Sequence, residues 1–368
     1  MIPLRRLALL AGAVLGAARP ARAQDSDFGI RSLGTPGRWE SVRARTTGGA
    51  FAAFDPSSGL TEAALVQAGT LTATATAGSS YRRTETATSS ANLRTARFPL
   101  FSVGGPLARR VFFGIGFATY LDRSFDVTTR DSSVVRGATT RYSDEFASDG
   151  GVSDLRAAGG VRLGSRLALG LVVHMLTGST RITATRRFDD TTAYATVLDS
   201  EVVRQTGFGV SGSALVALTP ALAVIGFARK DATLHAHVGN LETSQTTLPT
   251  TLGAAVQLTL SPVFRVGGSV LWRSWSNAGP NAFNTLGVSG GVEIGGARGT
   301  FRFGARAGTL PFGPGSSAPH EWGVAGGVGR TFAGGRAVVD LGLEHLIRDG
   351  GGLHERVVTA LVGVTVKQ

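Results

Sequence analysis

The sequence predicts an all-β chain: a transmembrane, antiparallel, up-and-down β-barrel of about 14 strands, with an N-terminal plug (hatch) segment in its lumen. Three observations carry this prediction. An export signal opens the chain, apolar and small or polar residues alternate through most of the rest, and the connections alternate between short and long.

Arg5 and Arg6 form a positive n-region, and Leu7 to Ala18 is an apolar stretch too short to span a bilayer. Ala21-Arg22-Ala23 before Gln24 is the small-x-small pattern of a signal-peptidase site. Residues 1–23 therefore read as a cleaved Sec-type signal peptide, which exports the chain across the inner membrane; with the barrel pattern below, the expected place is the bacterial cell outer membrane. No later stretch approaches the ~20 apolar residues of a membrane helix. The chain has no Cys, so no disulfide staples it. Glycine, at 52 of 368 residues, has about twice its usual share, which argues against a helical protein. The net charge is +12. The signal holds four Arg and no acid, which leaves the mature chain at about +8. The basic residues are scattered rather than massed, so anionic outer-membrane lipids, lipopolysaccharide included, suit them as partners better than nucleic acid.

Between residues 24 and 67 nothing alternates. This stretch holds Gly and Pro breaks, the turn Asp55-Pro56-Ser57-Ser58-Gly59, and Thr61–Gln67, which could make one or two helical turns. Gly48-Gly49-Ala50-Phe51 and Ala63-Ala64-Leu65 are apolar enough to need burial, and the lumen is the natural place. Residues 68–368 then form the barrel. Strands are expected at 68–86, 93–103, 110–129, 149–163, 166–186, 202–219 and 221–238. They continue at 246–260, 262–276, 283–295, 299–311, 319–331, 335–348 and 353–367. In the fifth, Leu169, Leu171, Val173 and Met175 share one face, while Ala168, Gly170 and His174 share the other. Phe264 and Trp272 are eight residues apart on one face; at a tilt of ~40° that is a rise of ~20 Å, near the height of an apolar membrane band. The links near 87–92, 130–148, 187–201, 239–245, 277–282, 312–318 and 349–352 are polar and mostly long, and those between them are tight turns. That parity puts the long loops outside and both termini in the periplasm. A barrel this wide cannot be filled by its own wall side chains.

Arg45–Leu65 (RTTGGAFAAFDPSSGLTEAAL) resembles the N-terminal signature of the FadL-like long-chain fatty acid and hydrocarbon transporters. That signature runs gly-gly-ala-phe, asp-pro-ser, a short spacer and asn-pro-ala-gly-leu. Gly48, Gly49, Ala50, Phe51, Asp55, Pro56 and Ser57 match it; Glu62, Ala63 and Ala64 depart from it. The tail is also similar, through Phe301–Gly308, Leu310-Pro311-Phe312-Gly313, His320-Glu321-Trp322-Gly323 and Val339-Asp340-Leu341 with Glu344. The resemblance implies a monomeric barrel, inserted by the barrel-assembly machinery, for passive uptake of a hydrophobic small-molecule ligand. The matched residues, with Glu62, would be the hatch, and release would run through the wall or past it. The alternative is a general porin or structural barrel.

Other motifs carry less. Gly287-Val288-Ser289-Gly290-Gly291 has the spacing of a nucleophile elbow, and Gly207–Gly212 that of a dinucleotide fingerprint, yet both run inside alternating strands with no helix following. His235 and His237 share a strand face with only Glu242 as a candidate third ligand, so no metal is expected. No Ser/His/Asp grouping recurs at matching depth, so neither an enzyme nor a cofactor is expected. Arg265, Arg273, Arg302 and Arg306, with Asp340 and Glu344, fall on the inner faces of strands nine, eleven and thirteen. They read first as a lumen charge ladder bracing the wall, and second as a basic wall for an anionic head.

Overall fold

The computed structural model describes residues 27–29, 32–58, 61–86, 90–135, 137–296 and 298–368. The signal-peptide assignment lies outside the described residues. Fourteen antiparallel strands close into a barrel. They are β1 (Thr72–Glu85), β2 (Ser90–Pro106), β3 (Val111–Asp122), β4 (Ala138–Leu163), β5 (Leu167–Phe188), β6 (Val197–Ala217) and β7 (Leu222–Asp231). The other half is β8 (Thr250–Ser261), β9 (Phe264–Arg273), β10 (Thr285–Gly296), β11 (Gly299–Thr309), β12 (His320–Phe332), β13 (Ala337–Gly350) and β14 (Leu353–Lys367). Closure is the pairing of β14 with β1, from His354↔Glu85 to Lys367↔Thr72. It leaves no open sheet edge to face lipid.

The wall inverts the burial pattern of a soluble sandwich. On β13, Leu341 and Leu343 are 49% and 63% exposed while Asp340 and Glu344 are 6% and 2% exposed. On β5, Leu169, Leu171, Val173 and Met175 face out and His174 is buried. An apolar skin this continuous is stable only against lipid, with the polar residues turned into the lumen.

Two expected loops are β-hairpins instead. Within 130–148, Phe125–Val135 pairs with Ala138–Ser148, which lengthens β4 beyond the wall. Around 239–245, Thr233–Val238 pairs with Leu241–Thr247 and with the outer part of β6. The strand expected at 221–238 accordingly breaks after Asp231. Polar Thr, Ser and Arg alternation satisfies a water-exposed hairpin as well as a strand in lipid, so the sequence did not separate the two. The last outer link is a tight turn, with Gly351 and Gly352 at φ of 58° and 79°.

One ladder of the wall is interrupted. β2 pairs with β3 only from Leu100↔Ala118 to Pro106↔Phe112. Beyond it, Thr35 and Pro36 pair with Asp122 and Leu121 from within, and Gly37 N–H donates to the Tyr120 carbonyl at 2.8 Å. The topology has a direct test in intact cells. Cysteines at the exposed positions Ser132 and Asn277 should react with an impermeant maleimide, and one at Ser165 should not. The opposite pattern would invert the barrel.

Candidate functional site: the filled lumen

The N-terminal segment is held by its own turn chemistry before it meets the wall. Ser41 caps the helix Val42–Arg45, accepting the Ala44 N–H at 3.1 Å, and its hydroxyl donates to Asp55. Asp55 also accepts the Ser57 N–H at 3.0 Å, the local turn bond that an Asp-Pro-Ser sequence favours. Gly48 and Gly49 end the helix at φ of 70° and 101°, a backbone that side chains resist, and Gly49 N–H returns to the Ala44 carbonyl. Ala50 and Phe51 are buried, and Pro56 continues the Asp55 turn. The Ser57 hydroxyl lies 3.0 Å from Thr74 Oγ1 on β1.

The segment docks where the inner wall is glycine. A Cβ built on Gly304 would lie 2.0 Å from the Thr47 carbonyl carbon, and one on Gly291 2.5 Å from the Thr47 oxygen. Thr46 occupies the same kind of space over Gly327 and Gly342, and the Phe51 ring lies over Gly267. On the opposite wall a Cβ on Gly170 would lie 2.4 Å from the Ala63 nitrogen, and Ala63 N–H donates to Ser213 Oγ at 2.9 Å. Phe54, Ala63, Leu65 and Val66 complete an apolar cluster with Phe112, Ala168, Leu215, Ile225 and Ala255 of the wall. Glycine gives the lumen its floor, and the segment fills it.

Charges fasten the rest. Glu344 takes Arg38 at 2.8 Å and also Arg45, both from the segment. Glu293 takes Arg43 of the segment at 2.8 Å, Arg302 at 2.9 Å and Arg265 at 3.2 Å. Arg302 also reaches Asp340, and Arg306 lies 2.8 Å from Glu321. Wall pairs alone therefore do not account for the six predicted ladder residues. Glu344 is held by the segment rather than by the wall, and Arg273 has no carboxylate partner among the described residues. Its guanidinium lies 5.0 Å over the Trp39 ring. Glu62 lies 3.4 Å from Arg156 on β4. Burial pushes its carboxyl up, against the opposing pull of Arg156. Sequence reasoning missed Arg38, Arg43 and Arg45. Nothing in a non-alternating stretch says which wall strand its cations will face. Glu293 was missed as well, although its strand parity with Ser289 and Gly291 marks it as inner-facing.

Two cavities flank the segment. An outer one of about 160 Å³ lies between Thr35–Glu40 with Gly48-Gly49 and strands β9 to β11. A second, of about 500 Å³, is lined by Ser41–Arg43, Asp55–Ser57, Glu293, Arg302 and Asp340, toward the short-turn end. Beyond the outer cavity, Trp39, Tyr120, Leu176, Leu234, Leu248, Trp275 and Phe312 pack into an apolar cluster at the long-loop end.

The structure corrects one expectation about chemistry. A Ser/His/Asp grouping does form at matching depth: His174 Nδ1 lies 3.0 Å from Asp154 and Nε2 lies 2.9 Å from Ser211 Oγ. Pairing of three adjacent strands brings them together. The grouping lacks the other parts of a nucleophilic site. Ser211 lines neither lumen cavity, and its strand is laddered on both sides, which leaves no pair of N–H groups for an oxyanion. Asp154 is also bound by Arg229 at 2.7 Å, and Arg229 passes on to Asp231 and so to the Tyr120 hydroxyl. The arrangement satisfies buried polar groups. His235 pairs with Glu242 at 2.8 Å, and no three potential metal ligands converge among the described residues.

Solved structures share this fold. A Pseudomonas aeruginosa FadL homologue superposes with a TM-score of 0.64 at 11% identity, over 91% of this chain and 99% of that one. The P. putida toluene transporter TodX gives 0.60 at 12%, and the CymD monoaromatic hydrocarbon channel 0.59 at 13%, each over 92% and 99%. The chain has the fold of the FadL-like channels. At such identities the likeness is one of fold, and at that level the resemblance read from Arg45–Leu65 holds. No protein-family model and no curated relative matches the chain.

Proposed function

We propose that the protein is an outer-membrane channel for passive uptake of hydrophobic small molecules, fatty acid- or hydrocarbon-like, gated by residues 24–67 as a hatch. The observation that carries this reading is the N-terminal segment itself, seated across the lumen between two cavities. A general porin needs a continuous water-filled pore, and a segment locked to glycine floors and buried carboxylates works against one. A hydrophobic molecule would enter through the apolar cluster around Trp39 and Trp275 and reach the outer cavity. It would leave past the hatch, or sideways where the β2–β3 ladder stops. The barrel, residues 68–368, would act as a monomer among lipopolysaccharide, after insertion by the barrel-assembly machinery. Within the hatch, Gly48, Gly49, Ala50 and Phe51 form the seated part, Asp55, Pro56 and Ser57 the turn, and Glu62 the latch on Arg156.

Uptake assays test the reading. Cells carrying the protein should accumulate labelled toluene or laurate faster than cells without it, while proteoliposomes should not swell in uncharged sugars. Sugar permeation without faster toluene or laurate uptake would instead make it a porin.

A further inference from the structure

The outer cavity contains more hydrogen-bond donors than the protein supplies acceptors for. Three of its four arginines have carboxylate partners. Arg38 has Glu40 at 2.9 Å and Glu344, Arg306 has Glu321 at 2.8 Å, and Arg348 has Glu321 at 2.7 Å. Arg273, at the outer end of β9, has none among the described residues, and its buried Nε–H has no acceptor. Trp39, 5% exposed and lining the same cavity, also leaves its indole Nε1–H without an acceptor. Glu40 and Asp231 act on Arg273 only from a distance. A desolvated cation with no acceptor in contact is costly, and two idle donors beside an aromatic ring suit an acceptor that arrives from outside.

Size narrows what that acceptor belongs to. The cavity is about 160 Å³. An apolar space of about 150 Å³ is enough for benzene, whereas a long alkyl chain is several times larger. Trp39, Leu271, Leu310 and Pro311 supply apolar wall around the charge. Building on the channel reading above, we infer that the outer cavity binds a compact carboxylate, an aromatic or short-chain acid. Arg273 is its counter-ion and Trp39 its second donor. The carboxylate completes the ion pair that Arg273 lacks, and the ring or short chain packs against the indole.

Calorimetry on the full-length protein in detergent, with sodium benzoate, toluene and sodium laurate, tests this. Benzoate should bind more tightly than either of the others. Arg273→Met should weaken benzoate about tenfold or more, the loss expected for a charge-assisted hydrogen bond, and change toluene binding far less. Arg273→Lys should recover part of it, and Trp39→Phe, which keeps the ring and removes the donor, should weaken benzoate several-fold. An unchanged heat-modifiable shift on gel electrophoresis shows that each variant is a folded barrel. Benzoate binding by Arg273→Met equal to the wild type's would overturn the inference, as would a wild type that prefers toluene or laurate. A wild type that binds toluene but not benzoate would sink the compact-acid site and leave the channel reading standing. Benzoate binding without transport of any apolar molecule would do the reverse.

Discussion

Gly304→Leu gives a barrel that inserts normally and conducts ions. The reason is steric. The first carbon of any side chain at this position would lie 2.0 Å from the Thr47 backbone. The wall cannot retreat, because Gly304 is laddered to Gly291 on one side and Ala325 on the other. Ordinary overpacking costs ~1–3 kcal/mol because side chains can shift; here backbone meets backbone, so the N-terminal segment must leave its seat. Planar-bilayer recordings should show a step from the low conductance of the wild type to a persistent open level. Deletion of residues 26–60 should reproduce it. Gly226→Ala, where a new Cβ meets nothing within 4 Å, should stay closed. Wild-type conductance in both Gly304→Leu and the deletion would mean that the segment does not obstruct the pore.

Glu344→Ala should undock the same segment from its other fastening. This carboxylate is buried and holds both Arg38 and Arg45. Its removal strands Arg45 and leaves Arg38 with Glu40 alone, and breaking one buried pair already costs about 3–5 kcal/mol. At ~1.4 kcal/mol per factor of ten, the docking equilibrium shifts by two orders of magnitude or more. Hydrogen exchange across 38–67 should accelerate accordingly, while the β1–β14 closure stays protected. Glu344→Leu combined with Arg45→Met should restore much of the protection, since Arg38 keeps Glu40 and no other charge is stranded. Protection across 38–67 in Glu344→Ala equal to the wild type's would place the energy of docking in the glycine floor alone.

The barrel itself was legible because its two causes are local. Lipid outside and water inside force a period of two, visible in Leu169-Gly170-Leu171 or Leu341-Gly342-Leu343. Loop parity likewise needs only counting along the chain. Where water lies on both faces the same alternation loses its meaning, so the hairpins at 125–148 and 233–247 were legible only as the ends of wall strands joined by loops at 130–148 and 239–245. The turn at Asp55-Pro56-Ser57 and the left-handed pair Gly48-Gly49 were also readable, because turn chemistry is settled within a few residues.

The sequence by itself determined the environment, the strand order, and the inner-facing glycines and charges. Each of these follows from neighbours along the chain. Only the tertiary structure decided which of those charges meet. Whether Glu344 faces Arg306 or Arg45, or Arg273 finds an indole instead of a carboxylate, depends on contacts between residues far apart in sequence. Strand shear, glycine height and the path of an irregular segment set those contacts together. The glycine that marks an inner face in the sequence becomes a seat only when Thr47 arrives over it. For the same reason the Asp154–His174–Ser211 grouping stayed hidden. Its three members sit on three strands whose register is fixed by closure of the whole barrel.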